Sequence, residues 1–536
     1  MTRDRTPDDT EQHFTNRLWR RAQEHLARGE TETARGLLEA LLLRQPAHFR
    51  ASLVLTSIHL SQHHAREASA QALSVARHVP EVDIAAVAAT AECLLRCGEM
   101  VTARGLLARC SMQTAEPDAP SCRMLARAHQ KLGDNTGALT LLDKALAFVP
   151  DDADLSYFHA LQLQFHGRFD EARAGMRKCL QLIPTYGRAA LALARLGKHQ
   201  PDRSRLAFTL EQLQRVPRLT EEHAAFEFAA FEEFESLGRL DEAFPALERG
   251  NDIMQRRLSG EPRLAAELVD ALCRETTRAF VHGDGLPVAE GPVPIFIVGL
   301  PRSGTTVLDR MLDNHPDVVS VGERTDFPLQ LRWCANRSGE QPLDAAVIER
   351  LPDLDYAELG RRYLEQTQWR AAGHAFYIDK LPPNYLLLGI IRRALPFAPI
   401  LHMSKDAMSV CFSNYKTLFG NSYPHSYDLR EMAKHYVLYR RLMTHWREVA
   451  PDVFLDVEYA RLVADPEGML ARIHEFCGLR PIAGCSDLTQ NRGAVATMSC
   501  IQARERLDAR GIDAWQRYRS QLRLLGTDLV SLGVAV

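Results

Sequence analysis

The sequence predicts an all-α array of helical repeats followed by an α/β domain, in which helices flank a parallel sheet. Three observations carry this prediction. A small residue recurs at a period of 34 to 36 positions across residues 15–258, and strand-like and helix-like segments then alternate over residues 291–536. Within the second half, Pro294–Thr306 (PIFIVGLPRSGTT) joins an apolar strand to a glycine-containing loop. We predict residues 259–290 to be the linker between the halves, because SGEP and HGDGLP there are rich in turn residues.

Each repeat has the pattern of two helices joined by a short turn and followed by a proline. The recurring small residue is an alanine, and its seven positions are Ala34, Ala68, Ala103, Ala138, Ala172, Ala207 and Ala243. A glycine precedes five of these alanines by five residues, and a proline follows the first six after about a dozen. We expect alanine where two helices approach closely, and proline just past the second helix, because proline cannot continue the helical hydrogen-bond ladder.

Bulk composition narrows the class of protein. The chain has 536 residues, 46% hydrophobic and 25% charged, with a net charge of −3, which favours neither a nucleic acid nor an anionic membrane as partner. The N-terminal MTRDRTPDDTEQHF lacks the apolar core of a secretory signal, and no apolar run approaches the roughly 18 residues of a membrane span. We therefore expect a cytoplasmic protein. The eleven cysteines form no CxxC pair, and we expect buried small hydrophobes rather than metal ligands or disulfides.

Three apolar runs in the second half predict strands. They are VPIFIVGL, PILHMS and VFLDVEYA, and helical stretches separate them. Strands that alternate with helices favour a parallel sheet buried on both faces.

The loop after the first strand predicts an anion site. Gly299–Thr306 has the G-x-x-x-x-G spacing of a P-loop, whose backbone N–H groups and following helix N-terminus converge on a phosphate. P-loop nucleoside triphosphatases carry a lysine after the second glycine, where this chain has Thr305. The cation is Arg302 instead, inside the loop, which suits a phosphosulfate donor without a metal better than a triphosphate with Mg²⁺.

Both halves resemble known families. The repeats resemble tetratricopeptide (TPR) repeats, about seven of them, which build a solenoid whose concave face binds a peptide or another subunit. Packing on the second half or homodimer formation are the alternative roles. The string FIVGLPRSGTTVLDRMLDNHPDVVSVGE resembles the 5′-phosphosulfate loop of sulfotransferases that use 3′-phosphoadenosine 5′-phosphosulfate (PAPS), especially tyrosylprotein sulfotransferases and bacterial TPR–sulfotransferase fusions. This resemblance implies a P-loop sulfotransferase domain over residues 291–536.

The resemblance also implies roles for individual residues. The 5′-phosphosulfate would be bound by Arg302, Ser303, Gly304, Thr305 and Thr306. Glu323, at the end of HPDVVSVGE, lies where these enzymes keep the catalytic base; a helix-capping or surface role is the alternative, and Asp326 is the nearest rival carboxylate. Lys380, in YIDKLPPNY, matches the family's DK(L/M)P signature at the start of a helix. It would act with Arg302 to stabilise charge on the leaving phosphate.

The element that binds the 3′ phosphate departs from the family pattern. Family members carry Arg-(Asp/Asn)-Pro with a serine eight residues after the arginine, and ILHMSKDAMSVCFSNY matches this element. Ser413 keeps the spacing, but Lys405 replaces the arginine and Ala407 the proline. Lysine keeps the charge and loses the bidentate guanidinium. The replacement of the arginine by Lys405 would therefore change how the 3′ phosphate is bound.

A C-terminal segment, TMSCIQARERLDARGIDAWQRY, resembles the family's S-x-x-Q…W element through Gln502 and Trp515. It implies that Ser499 hydrogen-bonds the donor near the transferring group, and that Arg504 or Arg506 contacts the 3′ phosphate. Trp515 is expected in the core rather than in the site.

These features imply a PAPS-dependent sulfotransferase that moves a sulfuryl group to an acceptor hydroxyl, with 3′-phosphoadenosine 5′-phosphate (PAP) as product and no metal. A protein tyrosine presented by the TPR solenoid, a saccharide, and a small alcohol or phenol are all open as acceptors. Two other functions compete with this one. Lys405 favours a TPR scaffold whose sulfotransferase domain binds nucleotide but is catalytically weak, and a P-loop kinase is disfavoured by the absent loop lysine.

Overall fold

The chain divides into two compact units that alternate along the sequence. In the computed structural model the described residues are 7–113, 119–261, 263–288, 290–491, 493–497, 499–504, 507 and 512–536. One unit comprises Met1–Leu141 and Thr325–Trp369, and the other comprises Leu142–Arg324 and Arg370–Val536. The domain boundaries predicted near residues 258 and 291 divide the chain into consecutive segments. Each compact unit instead combines two segments that are separated in the sequence.

Up to Arg257, the described part of the chain forms helices in consecutive pairs, as the repeat pattern predicts. The pairs are α1 (Pro7–Ala27) and α2 (Thr31–Arg44), α3 (Phe49–Ser61) and α4 (Ala65–His78), α5 (Ile84–Arg96) and α6 (Met100–Gln113), α7 (Ala119–Leu132) and α8 (Asn135–Phe148), α9 (Ala153–Phe165) and α10 (Phe169–Leu182), α11 (Gly187–Leu196) and α12 (Arg203–Leu213), and α13 (Glu221–Ser236) and α14 (Leu240–Arg257).

The repeat residues have the predicted roles with one exception. Six of the seven alanines are wholly buried, namely Ala34, Ala68, Ala103, Ala138, Ala172 and Ala243. The prediction for Ala207 is wrong, since this residue is exposed. The buried side of α12 is formed by Leu206, Thr209 and Gln212, so its stripe begins one residue earlier. Pro117, one of the predicted helix-ending prolines, lies outside the described residues.

The predicted linker contains two short helices, and an α/β fold follows it. Its elements are α15 (Ala266–Glu275), α16 (Arg278–Val281), β1 (Val293–Gly299), α17 (Thr305–Leu312), β2 (Val318–Ser320), α18 (Asp326–Cys334), α19 (Ala345–Ile348), α20 (Tyr356–Thr367), β3 (Phe376–Lys380), α21 (Leu388–Ala394), β4 (Ile400–Ser404), α22 (Ala407–Tyr415), α23 (Leu429–Val449), β5 (Phe454–Glu458), α24 (Tyr459–Ala464), α25 (Pro466–Cys477) and α26 (Arg523–Ser531). The 3₁₀ segments within the described residues are Leu351–Asp353, Gln368–Ala371, Pro382–Leu387, Pro424–Tyr427, Gln502–Arg504 and Ala514–Tyr518.

The five strands form one parallel sheet in the order β2-β3-β1-β4-β5. The parallel sheet is therefore confirmed, as are the three predicted strands, which are β1, β4 and β5. The sequence analysis did not identify β2, which is three residues long, or β3, which ends in the charged pair Asp379–Lys380. The direction of strand addition reverses beside β1, and in such sheets ligands bind at the carboxyl ends of the strands near that point.

The segment between β2 and β3 carries α18 to α20 and belongs to the same unit as the first repeats. The Arg362 guanidinium pairs with Glu99 at 2.9 Å and lies 3.6 Å from the ring centroid of Trp333. The Gln330 amide donates to the Gly98 carbonyl at 2.8 Å. Within the described residues, no helix is both long and apolar enough to cross a membrane.

Candidate donor-binding site

The loop after β1 has a backbone that requires glycine. Gly299 and Gly304 adopt φ of 149° and 108°, and Arg302 between them has φ of 68°. A Cβ on Gly304 would lie 2.4 Å from a ring carbon of Tyr459, and one on Gly299 would lie 2.3 Å from the carbonyl oxygen of Met403. Each glycine is therefore needed for two reasons, which are its positive φ and the close approach of a neighbouring residue.

The loop and the first turn of α17 form a cradle that fits a phosphate-like anion. Gly304 is the N-cap of α17, and Thr305 and Thr306, which begin the helix, are both buried. Ser303 is 1% exposed, and its hydroxyl has no hydrogen-bond partner among the residues that the structure describes. Buried polar groups are ordinarily satisfied, so an orphaned hydroxyl beside a helix N-terminus indicates a missing hydrogen-bond partner.

Three predicted residues meet at the edge of this cradle. The Lys380 ammonium is wholly buried and donates to the Glu323 carboxylate at 2.5 Å and to the Thr306 hydroxyl at 3.5 Å. Lys380 does not start a helix as predicted, since it is the last residue of β3 and a 3₁₀ segment begins two residues later. Because β3 runs parallel to β1, Lys380 lies at the carboxyl edge of the sheet, beside the loop that follows β1.

Backbone pairing beyond β2 positions Glu323. Val321 donates to the Ile378 carbonyl at 3.2 Å, and Lys380 donates through its backbone to the Gly322 carbonyl at 3.3 Å. The Glu323 side chain is 36% exposed, so the carboxylate can meet an incoming acceptor while it contacts a buried ammonium.

Two neighbours of this pair were not predicted from the sequence. Burial raises the pKa of the Asp309 carboxyl to about 6, although the nearby Lys380 ammonium opposes that shift. Burial and then the negative charge of Glu323 raise the pKa of the Tyr423 phenol. Asp309 lies one turn along α17 from the loop. A single acidic residue in an amphipathic helix is common, so nothing in the sequence indicated that this carboxyl would be buried near Lys380.

Arg302 brings the loop together with three distant residues that the sequence motifs include. Its Nε donates to the Ser413 hydroxyl at 3.4 Å, its Nη2 donates to the Gln502 side chain at 2.8 Å, and its Nη1 donates to the Ser499 hydroxyl. Burial, followed by repulsion from Arg195, lowers the pKa of the Arg302 guanidinium to about 10. A cation with three side-chain contacts and a lowered pKa is stabilised by a bound anion.

Lys405 lies beside Arg302, at the end of β4. Burial lowers the pKa of the Lys405 ammonium to about 8, and repulsion from Arg302 and Lys416 adds to the shift. Asp406 caps α22 by accepting from the Ser409 backbone N–H at 2.8 Å, so its carboxylate has a structural partner. Lys416, at the other end of α22, was not identified from the sequence because a lysine after a helix is common.

Asn414 was also not identified, and it ties α22 to the loop. Its amide is wholly buried and donates to the Pro301 carbonyl at 2.8 Å. The predicted Arg504 is directed elsewhere, since its Nη2 donates to the Phe165 and Gly493 carbonyls at 2.8 and 2.7 Å. Arg506 lies outside the described residues, and Trp515 is half-buried in a 3₁₀ segment.

No group of three or more His, Cys, Asp or Glu side chains is arranged to hold a metal ion in the described part of the chain. Ten of the eleven cysteines are buried, as expected of small hydrophobes, and Cys273 is partly exposed.

Comparison with known proteins locates a family match over this region. Residues 294–482 match the model of the sulfotransferase family. An uncharacterised protein of Aquifex aeolicus is 26% identical over 327 residues, which cover 59% of this chain and 42% of that protein. Protein-tyrosine sulfotransferase 1 of Danio rerio is 27% identical over 219 residues, which cover 37% of this chain and 55% of that protein. The chain thus spans about half the length of these curated relatives.

A solved sulfotransferase domain from the olefin synthase of Synechococcus PCC 7002 is also similar. It is 21% identical and covers 47% of this chain and 96% of its own length, with a TM-score of 0.32.

Proposed function

We propose that the protein transfers a sulfuryl group from PAPS to an acceptor hydroxyl, and the match of residues 294–482 to the sulfotransferase family model supports this proposal. The observation that carries the proposal is the convergence of Thr306, Lys380 and Glu323 beside a cradle that fits an anion. An ordinary strand–helix turn needs neither a wholly buried lysine nor a carboxylate in contact with it.

In this proposal the donor lies across the carboxyl edge of the sheet. The amides of the loop and of the first turn of α17 hold the 5′-phosphosulfate, together with the hydroxyls of Ser303, Thr305 and Thr306. The 3′ phosphate lies towards Lys405 and Ser413. Ser499 and Arg302 lie between the two ends, since the Arg302 guanidinium contacts both serines.

The reaction is an in-line displacement at sulfur. The acceptor oxygen forms a new S–O bond while the bond from sulfur to the bridging phosphate oxygen breaks, and PAP leaves with that electron pair. Glu323 accepts the acceptor's proton. Lys380 and Arg302 stabilise the negative charge that develops on the departing phosphate, in a water-poor site where such charges interact strongly. Holding both reactants in line contributes much of the rate.

The acceptor that we favour is a tyrosine in a peptide. Two observations support this choice: a matched relative is named a protein-tyrosine sulfotransferase, and the first half of the chain consists of TPR-like helix pairs, an architecture used to bind peptides.

Calorimetry with two nucleotides tests the donor. The protein should bind PAP at micromolar concentration without Mg²⁺ and should bind ATP far more weakly, with or without Mg²⁺. Incubation with PAPS and a tyrosine peptide should then release PAP and add one sulfuryl group to the peptide. Binding of ATP with Mg²⁺ without binding of PAP would refute the proposal and favour a kinase. PAP binding without transfer to any of the three acceptor classes would favour the scaffold.

A further inference from the structure

Lys416 lies beside the predicted 3′-phosphate residues, although no sequence motif includes it. It is the C-cap of α22, three residues after Ser413, and positions three apart lie on the same side of a helix. Its ammonium lies 5.4 Å from the centroid of the ring of Phe412, a buried residue. In the described part of the chain the Lys416 ammonium makes no hydrogen bond or salt bridge.

The surroundings of Lys416 carry an excess of positive charge. Six cations within the described ranges interact through space, directly or through Glu235, and they are Arg195, Lys198, Arg302, Lys405, Lys416 and Arg517. Three carboxylates accompany them, which are Glu232, Glu235 and Asp406. Among the described residues these cations outnumber the carboxylates, and such an imbalance in a partly buried site is unfavourable unless an anion balances it.

Two carboxylates act on Lys416, Glu235 and more weakly Glu232, and Glu235 is shared with other groups. Glu235, from α13, pairs with Lys198 at 3.3 Å, lies 3.6 Å from Arg517, and accepts from the Tyr518 hydroxyl at 3.3 Å. Glu235 therefore does not neutralise Lys416 alone. Burial lowers the pKa of the Lys416 ammonium, and repulsion from Lys198 and Arg302 adds to this effect.

We propose that Lys416 is a second lysine for the 3′ phosphate of the donor, which binds that group together with Lys405 and Ser413. The proposal rests on the proposed function, since it assumes a 3′-phosphorylated nucleotide. A phosphate monoester carries a charge of about −1.5 to −2 at pH 7, so two ammonium groups balance it better than one. Two point charges from separate positions replace the bidentate guanidinium that Lys405 lacks.

A comparison of two ligands in two proteins isolates this role. PAP and 5′-AMP differ only in the 3′ phosphate, so the ratio of their affinities reports the groups that contact it. Lys416→Met should weaken PAP binding about 10- to 100-fold, as expected for loss of a charged hydrogen bond, and should change AMP binding by less than about threefold. Calorimetry measures all four constants, and thermal unfolding checks that the variant is folded.

Two further variants complete the test. Lys434→Met removes an exposed lysine of α23 and should leave both affinities unchanged. Lys416→Arg keeps the charge, so it should retain the preference for PAP and serves if Lys416→Met does not fold. Equal losses for PAP and AMP, or no loss for either, would overturn the role of Lys416. A wild-type protein that does not distinguish PAP from AMP would instead overturn the donor assignment, and this proposal with it.

Discussion

The two ends of the candidate donor site are built in different ways. At the 5′ end the anion cradle consists of backbone, with glycines in conformations that other residues avoid and a helix N-terminus behind them. At the 3′ end the charges belong to long side chains that extend from the two ends of α22. Substitution of a glycine in a backbone cradle strains the chain, whereas one flexible cation can replace another. We therefore expect a change of cation at the 3′ end to be tolerated better than a change in the loop.

The largest expected effect is the loss of kcat when the proposed base, beside the 5′ end of the site, is replaced. Glu323→Gln should lower kcat for sulfuryl transfer by about 10²- to 10⁴-fold, because an amide cannot accept the acceptor's proton. PAP affinity, measured by calorimetry, should change little. Glu475→Gln, at an exposed position of α25, should leave kcat unchanged. Undiminished turnover in Glu323→Gln would remove this residue as the base and leave the cradle assignment intact.

A smaller effect should follow when the backbone cradle itself is altered. Gly304→Ala introduces a Cβ 2.4 Å from the Tyr459 ring at a φ of 108°, and we expect a loss of about 2–4 kcal/mol in the free energy of unfolding, together with weaker PAP binding. Gly420→Ala is the matched control, since its φ is 62° and its Cβ would meet nothing within 4 Å. That variant should lose only about 1–2 kcal/mol from the left-handed conformation. Equal losses, measured by denaturant unfolding, would show that Tyr459 moves aside.

The smallest effect concerns the pH dependence of the 3′ end. The pKa of the Lys405 ammonium is about 8, so its positive charge is present below pH 8 and is lost as the pH rises through that value. PAP affinity should therefore fall several-fold between pH 7 and pH 9. Lys405→Arg should show a weaker decline, because arginine stays protonated over this range. A decline that is equally steep in Lys405→Arg would assign the titration to another group.

Sequence reasoning identified the parts of the site that follow from local backbone. The strand–loop–helix at Pro294–Thr306 and the strands at the positions of β4 and β5 are consequences of short-range patterns, and all three strands are present. The helix pairs follow from the repeat period for the same reason. Ala207 is the exception, because α12 buries a stripe that begins at Leu206 instead.

The remainder depended on contacts between segments far apart in the chain. Lys380 was expected at a helix start, since YIDK is too short and too polar to predict β3, whose strand character comes from pairing with β1 and β2. Lys416 could be identified only from the charged groups around it, one of which is Glu235 of α13. Arg504 was expected at the 3′ phosphate, and no local pattern could indicate that Phe165 would accept its hydrogen bond.

The interleaving of the two compact units has a practical consequence for fragments of this chain. Truncation before residue 291 would retain α18 to α20 but remove Glu99, so Arg362 would lose its carboxylate, and the wholly buried Gln330 would lose the carbonyl of Gly98. The freed segment lies between β2 and β3, and Glu323 precedes it by two residues. An isolated C-terminal fragment would therefore expose unpaired polar groups in the segment that follows the proposed base in the sequence, and the whole 536-residue chain is the appropriate material for kinetic work.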